Sequence, residues 1–140
     1  MLKINDLFEP GNQIEYQFVV EDQHTASQIG SGSLCVLATP AMILMMERIS
    51  HRLLAEKLPE GYSSVGVHIE VQHLAPSPIG STVTVRSELI HVDERSIIFK
   101  VSAWDSVEKI GEGTHTRMTI DFERFLKRVE GKQSQMNPDR

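Results

Sequence analysis

The sequence predicts an α+β domain in which an antiparallel β-sheet wraps around one central α-helix. Three observations carry this. The chain has one strong helical segment, and its first two turns, residues 41–46 (AMILMM), are apolar on every side. Four β-rich stretches follow it in succession, and no helical stretch separates them. A helix apolar all round needs cover on every side, and strands joined by short turns pair antiparallel, so a doubly wound parallel sheet is disfavoured. A partner subunit could complete the cover.

Each element follows from local chemistry. Residues 14–20 (IEYQFVV) carry the β-branched and aromatic side chains of a strand. The Gly/Ser-rich passage 27–33 (SQIGSGS) cannot easily hold regular structure and reads as a loop with freedom to move. The helix starts at Thr39, a good N-cap, with Pro40 at the favoured first position, and Pro59, Glu60 and Gly61 stop it after about Leu58. Residues 63–75, 81–92, 96–107 and 110–122 read as strands, with turn signals at 76–80 (PSPIG) and 93–95 (DER). Arg124, Lys127 and Arg128 alternate with Glu123, Phe125, Leu126 and Val129, the pattern of a short amphipathic closing helix with a solvated charged face. The polar stretch 131–140 reads as a frayed tail, leaving residues 1–130 as one domain.

Size and composition agree with a single soluble unit. The 140 residues include 40% apolar and 24% charged side chains, and a chain this long should bury about two-thirds of its unfolded surface. A net charge of −5 and a pI near 5.6 argue against a nucleic-acid partner, which needs a basic footprint. Residues 1–10 are too polar for a signal-peptide core and the longest apolar run, 41–46, is too short to span a membrane. One cysteine, Cys35, cannot form an internal disulfide and reads as a small packed residue, so the cytoplasm is the expected compartment. The histidines, His24, His51, His68, His73, His91 and His115, do not fall into a ligand pattern, and no metal is expected. No nucleophile elbow or phosphate-cradling glycine loop is present.

Four residues are out of place. Glu47 follows the apolar run directly, with Ile43, Leu44 and Leu54 among its helical neighbours. A carboxylate there is costly unless hydrogen-bonded or paired, so it reads either as an acid–base group or as a surface residue pairing with His51 one turn later. Strand alternation sets His73 in a row with Val65, Val67, Ile69 and Val71, facing core or cleft, while Gly66, His68, Glu70 and Gln72 take the other face. A lone histidine on an apolar face is either a satisfied core residue or a catalyst. Thr39 places a hydroxyl at a helix N-terminus, where it either only caps or also serves a ligand. Gly66, within a strand, marks either a bulge or the close approach of a ligand to the backbone.

In order of parts the chain resembles a hotdog-fold protein, and its residues resemble the fluoroacetyl-CoA thioesterase-like family. The resemblance runs from about Ile14 to Phe125 on residues 37–47 (LATPAMILMME), 65–73 (VGVHIEVQH), 78–80 (PIG) and 111–117 (GEGTHTR). It implies a thioesterase that releases a short acyl group from coenzyme A, with Thr39, Glu47 and His73 as the catalytic residues. It further implies that the Gly66 backbone N–H holds the thioester carbonyl and that Arg117 meets His73 or the ligand. The site would form at the interface of a homodimer whose sheets join, with pairing into a tetramer left open. No cofactor is implied beyond the coenzyme A of the substrate. Residues 30–35 (GSGSLC) lack the aromatics that the fluoroacetyl-specific members carry, and Pro40 stands where they have glycine. That implies a broader or different short-acyl preference and a stiffer helix start. The competing reading from another class is a non-catalytic acyl-CoA-binding module, which turnover separates from an enzyme.

Overall fold

The computed structural model describes residues 2–137. Strands β1 (Gln13–Val19), β2 (Tyr62–His73), β3 (Thr82–Val92), β4 (Ser96–Trp104) and β5 (Lys109–Asp121) form one antiparallel sheet in the order β1-β3-β4-β5-β2. The helices are α1 (Ala26–Ile29), α2 (Thr39–Ala55) and α3 (Phe122–Met136). This is the α+β arrangement that the sequence predicts.

Helix α2 lies on the inner face of the sheet. Met42, Met45, Met46, Ile49, Leu53 and Leu54 recur at helical spacing and are buried with Val83, Val85 and Leu89 of β3 and Ile97, Phe99 and Val101 of β4. Each such side chain contributes about 1.5–3 kcal/mol through burial. The cover is one-sided, however: Leu44 on the opposite side of α2 is 48% exposed, so within one chain the helix is not enclosed all round. The inner face also changes character across the sheet. On β3 and β4 it is apolar apart from Ser87, whose hydroxyl meets Ser50 of α2 at 2.7 Å, whereas on β5 and β2 it holds buried Ser64, His115, Arg117 and Thr119. That polar sector is where Glu47 looks.

Strand β2 closes the sheet on one side, pairing with β5 along its length and with no other strand among the described residues. Twelve residues at about 3.3 Å each make an open edge of about 40 Å, a length that proteins usually cover or pair.

Four expectations are corrected here. Passage 27–33 is not a free loop: α1 starts it, Gly30 ends that turn at φ +89°, and bridges Thr25–Leu37 and Val36–Pro78 tie its flanks down. Cys35 lies exposed on this segment rather than packed. The stretch 131–140 is not frayed from its start, because α3 continues to Met136; residues 138–140 lie outside the described part. Finally, the alternation of β2 breaks at Val67. Gly66 pairs with Arg117 and His68 with Thr116, so Val67 is an extra residue, a β-bulge. Ser64 and Gly66 therefore share the inner face with Ile69, Val71 and His73, while Val65, paired with Met118, is turned outward. Both sequence readings of Gly66 meet at this point, since it borders the bulge and is closely approached.

Candidate active site

Thr39 is the first residue of α2 rather than its N-cap. The extended residue before the helix is Ala38 (φ −72°, ψ 142°), which caps without a side chain. The Thr39 hydroxyl is thereby left for another partner, and it lies 2.7 Å from Nδ1 of His73 at the far end of β2. Nε2 of His73 is buried and has no hydrogen-bond partner among the described residues. Burial holds the His73 imidazole below its ordinary histidine pKa, so it is neutral at neutral pH.

Eight residues along the same helix stripe stands Glu47, at about 12 Å of axial rise from Thr39. A Cβ at Gly66 would be 3.0 Å from Glu47 Oε2, 3.1 Å from His115 Cε1 and 3.4 Å from Arg117 Nη1. Only a glycine lets the backbone come this near to the carboxylate without displacing a neighbour. Arg117, 6% exposed, donates from Nε to Ser64 Oγ (2.9 Å), from Nη2 to the Ser64 carbonyl (3.1 Å) and from Nη1 to His115 Nε2 (3.1 Å). Its burial lowers its pKa, and the nearby Glu47 carboxylate raises it in compensation. Glu47 makes no ion pair with His51 among the described residues; the ion pairs there are Arg86–Glu15 and Lys109–Glu112.

The chain thus presents two clusters on one helix stripe: Thr39 with His73, and Glu47 with Gly66, Arg117 and His115. A groove of about 970 Å³ between the N-terminal segment and the start of α3 contains none of these residues. Among the described residues no three His, Cys, Asp or Glu side chains are grouped to hold a metal, and no helix is long and apolar enough to cross a membrane.

The family model for the fluoroacetyl-CoA-specific thioesterase matches residues 20–123, nearly three-quarters of the chain and the whole of both clusters. The chain belongs to this family. Among its relatives, the fluoroacetyl-CoA thioesterase of Streptantibioticus cattleyicolor is 43% identical over 97 residues, 69% of this chain and 70% of that one. A solved structure of a fluoroacetyl-CoA-specific thioesterase variant, in complex with fluoroacetate and CoA, is 36% identical and superposes with a TM-score of 0.80 over 84% of this chain and 99% of that one. A hot-dog-like protein from Thermanaerovibrio acidaminovorans gives a TM-score of 0.88 at 27% identity, covering 94% and 97% of the two chains. The sheet around α2 is thus the hotdog fold.

Within this fluoroacetyl-CoA-specific thioesterase family member, the sequence-predicted residues sort as follows. The structure joins Thr39 to His73, and joins Glu47 to Gly66 with Arg117 behind it. It does not hydrogen-bond Arg117 to His73; the arginine faces Ser64 and His115 instead. His115 is the member that sequence reasoning did not single out. It is 1% exposed, and its one available signal was strand parity with Arg117, two residues on.

Proposed function

We propose that this protein, an acyl-CoA thioesterase by family, hydrolyses short-chain acyl-CoA at a site built from Thr39, Glu47, Gly66 and His73. The observation that carries the reading is the meeting of Glu47 Oε2 with the Gly66 backbone. A carboxylate packed against this glycine has an oxygen to deliver, and in this reading the Gly66 N–H is the donor for the carbonyl oxygen that becomes negative; removing one such donor typically costs a factor of about 10² to 10³ in rate.

In this scheme the thioester carbonyl lies on the Gly66 N–H. Glu47 brings the new oxygen to the carbonyl carbon, by its own attack or by taking a proton from water. The carbon–sulfur bond breaks, and the departing thiolate takes a proton that His73 relays, with Thr39 fixing the imidazole through Nδ1. Where Glu47 itself attacks, water then opens the mixed anhydride and restores the carboxylate; on either route one water is consumed, and the free acid and coenzyme A leave. No metal enters the scheme, and no cofactor beyond the coenzyme A of the substrate.

The separation of the two clusters supports a dimer. Along β2 the seven steps from Gly66 to His73 span about 20 Å, too far for one carbonyl to meet both. Antiparallel self-pairing of the open β2 edge about a two-fold axis sets the Gly66 end of one copy against the His73 end of the other. Each complete site then takes Glu47 and Gly66 from one protomer and Thr39 and His73 from its partner. A reducing, cytoplasmic setting suits the single free thiol of Cys35.

The test is free-thiol release from acetyl-, propionyl-, branched and haloacetyl-CoA. Hydrolysis with a ranked acyl preference supports the reading, and the ranking names the pocket. Saturable binding of every one of these compounds without release would make the protein an acyl-CoA-binding module.

A further inference from the structure

The buried pair His115 and Arg117 does more than fill space beside Glu47. The ladder between β2 and β5 is interrupted at Val67, and the two side chains grip β2 on either side of the interruption. Arg117 holds Ser64 by its hydroxyl and its carbonyl, and His115 Nδ1 donates to the His68 carbonyl at 2.9 Å. The two are joined to each other, Arg117 Nη1 donating to His115 Nε2. Since Nε2 accepts, the ring proton resides on Nδ1 and the imidazole is neutral. The ring is also seated in the core, stacked near Phe99 with centroids 6.3 Å apart.

Gly66 lies midway between Ser64 and His68, inside this grip. A bulge that moves by one residue turns every side chain between its two positions to the other face and every backbone N–H there to the other edge of the strand. A slipped bulge would therefore carry Gly66 away from Glu47. Nothing in the backbone ladder alone fixes an unpaired residue at Val67 instead of a neighbour. We propose that His115 is a positioning residue of the hydrolytic site: with Arg117 it clamps the carbonyls on both sides of the Val67 bulge and so fixes the meeting of Gly66 with Glu47.

This inference rests on the thioesterase reading for its effect on turnover, but its geometry can be tested apart from turnover. His115→Leu keeps bulk and removes both hydrogen bonds, whereas His115→Gln keeps one donor and one acceptor. We expect His115→Leu to lower kcat about 10- to 100-fold at nearly constant KM, because a misplacement near 1 Å can cost 10² in rate. His115→Gln should remain within a few-fold of wild type. Nitrogen-15 NMR of the wild type should show His115 protonated at Nδ1 and bare at Nε2. The Gly66 amide should exchange faster with solvent in His115→Leu. Wild-type kcat in His115→Leu, equal impairment of the Gln and Leu variants, or an Nε2-protonated ring in the wild type would each overturn the clamp. If the wild type released no thiol, the functional reading would fall, while the tautomer and the amide exchange would still decide the clamp.

Discussion

Gly66→Ala probes the narrowest point of the site. The added methyl would stand 3.0 Å from Glu47 Oε2 and 3.1 Å from His115 Cε1, against the 3.5–4.0 Å or so of an unstrained carbon contact. About 0.5 Å must be found. His115 and Arg117 are fixed by four hydrogen bonds to each other and to β2, so the carboxylate is the neighbour that yields. At about 10² in rate per ångström of misplacement, such a displacement costs about tenfold, and more if the carbonyl loses the backbone N–H as well. Stability should fall by up to about 2.5 kcal/mol: overpacking costs about 1–3 kcal/mol, and the stiffer unfolded chain returns about 0.4–1 of it. The assay is thiol release from the preferred acyl-CoA, beside a thermal melt of the same sample. A Gly66→Ala protein with full kcat/KM and an unchanged Tm would refute the claim that Glu47 works against the Gly66 backbone.

Other perturbations separate structure from chemistry. Thr39→Val removes the hydroxyl that holds His73 Nδ1 and should lower kcat about 10²-fold or more with no loss of Tm, read by the same assay. Gly113→Ala should do the reverse in kind: its Cβ would overlap the Glu70 carbonyl oxygen across the β2–β5 ladder, so it should cost about 3 kcal/mol or more in a denaturant titration. His51, His73 and His115 all have folded pKa values lowered by burial from 6.5. The unfolded chain therefore binds more protons, and their contribution to stability is complete above about pH 6.5 and is lost as the pH falls toward the lower folded values. Melts between pH 8 and 5 should show Tm falling only on the acid side of that range, and a flat profile would contradict the desolvation that lowers these pKa values.

What the sequence disclosed depended on whether local periodicity held. Helix α2 obeys its 3.6-residue period, so Thr39, Ile43 and Glu47 could be set on one stripe before any coordinates, and the strands after it were marked by their turns. The β2 face assignment held from Ile69 to His73 and failed on the near side of Val67, because a bulge adds one residue without any composition signal, so Gly66 was placed opposite His73 when they share a face. Thr39 was read as a cap because threonine favours that position, and the competing pull of His73, 34 residues away, is not a local property. Arg117 and His115 look like solvated strand residues in sequence, yet they are buried, since their partners are backbone carbonyls that no side-chain pattern displays. The extent of α3 was underestimated because polar residues past Gly131 lack apolar periodicity, although they continue the helix to Met136.

The account stands on one site assembled from two clusters that different protomers contribute, and a hybrid dimer tests it most directly. Glu47→Gln and His73→Ala, each inactive alone, would be co-expressed and the mixed population assayed for thiol release. If the clusters meet across the two-fold axis, half of the dimers are hybrids carrying one intact site, and activity should return to about a quarter of wild type. If every site were built within a single chain, each site in a hybrid would keep one lesion. The mixture would then stay as inactive as its parents, and the account would be wrong.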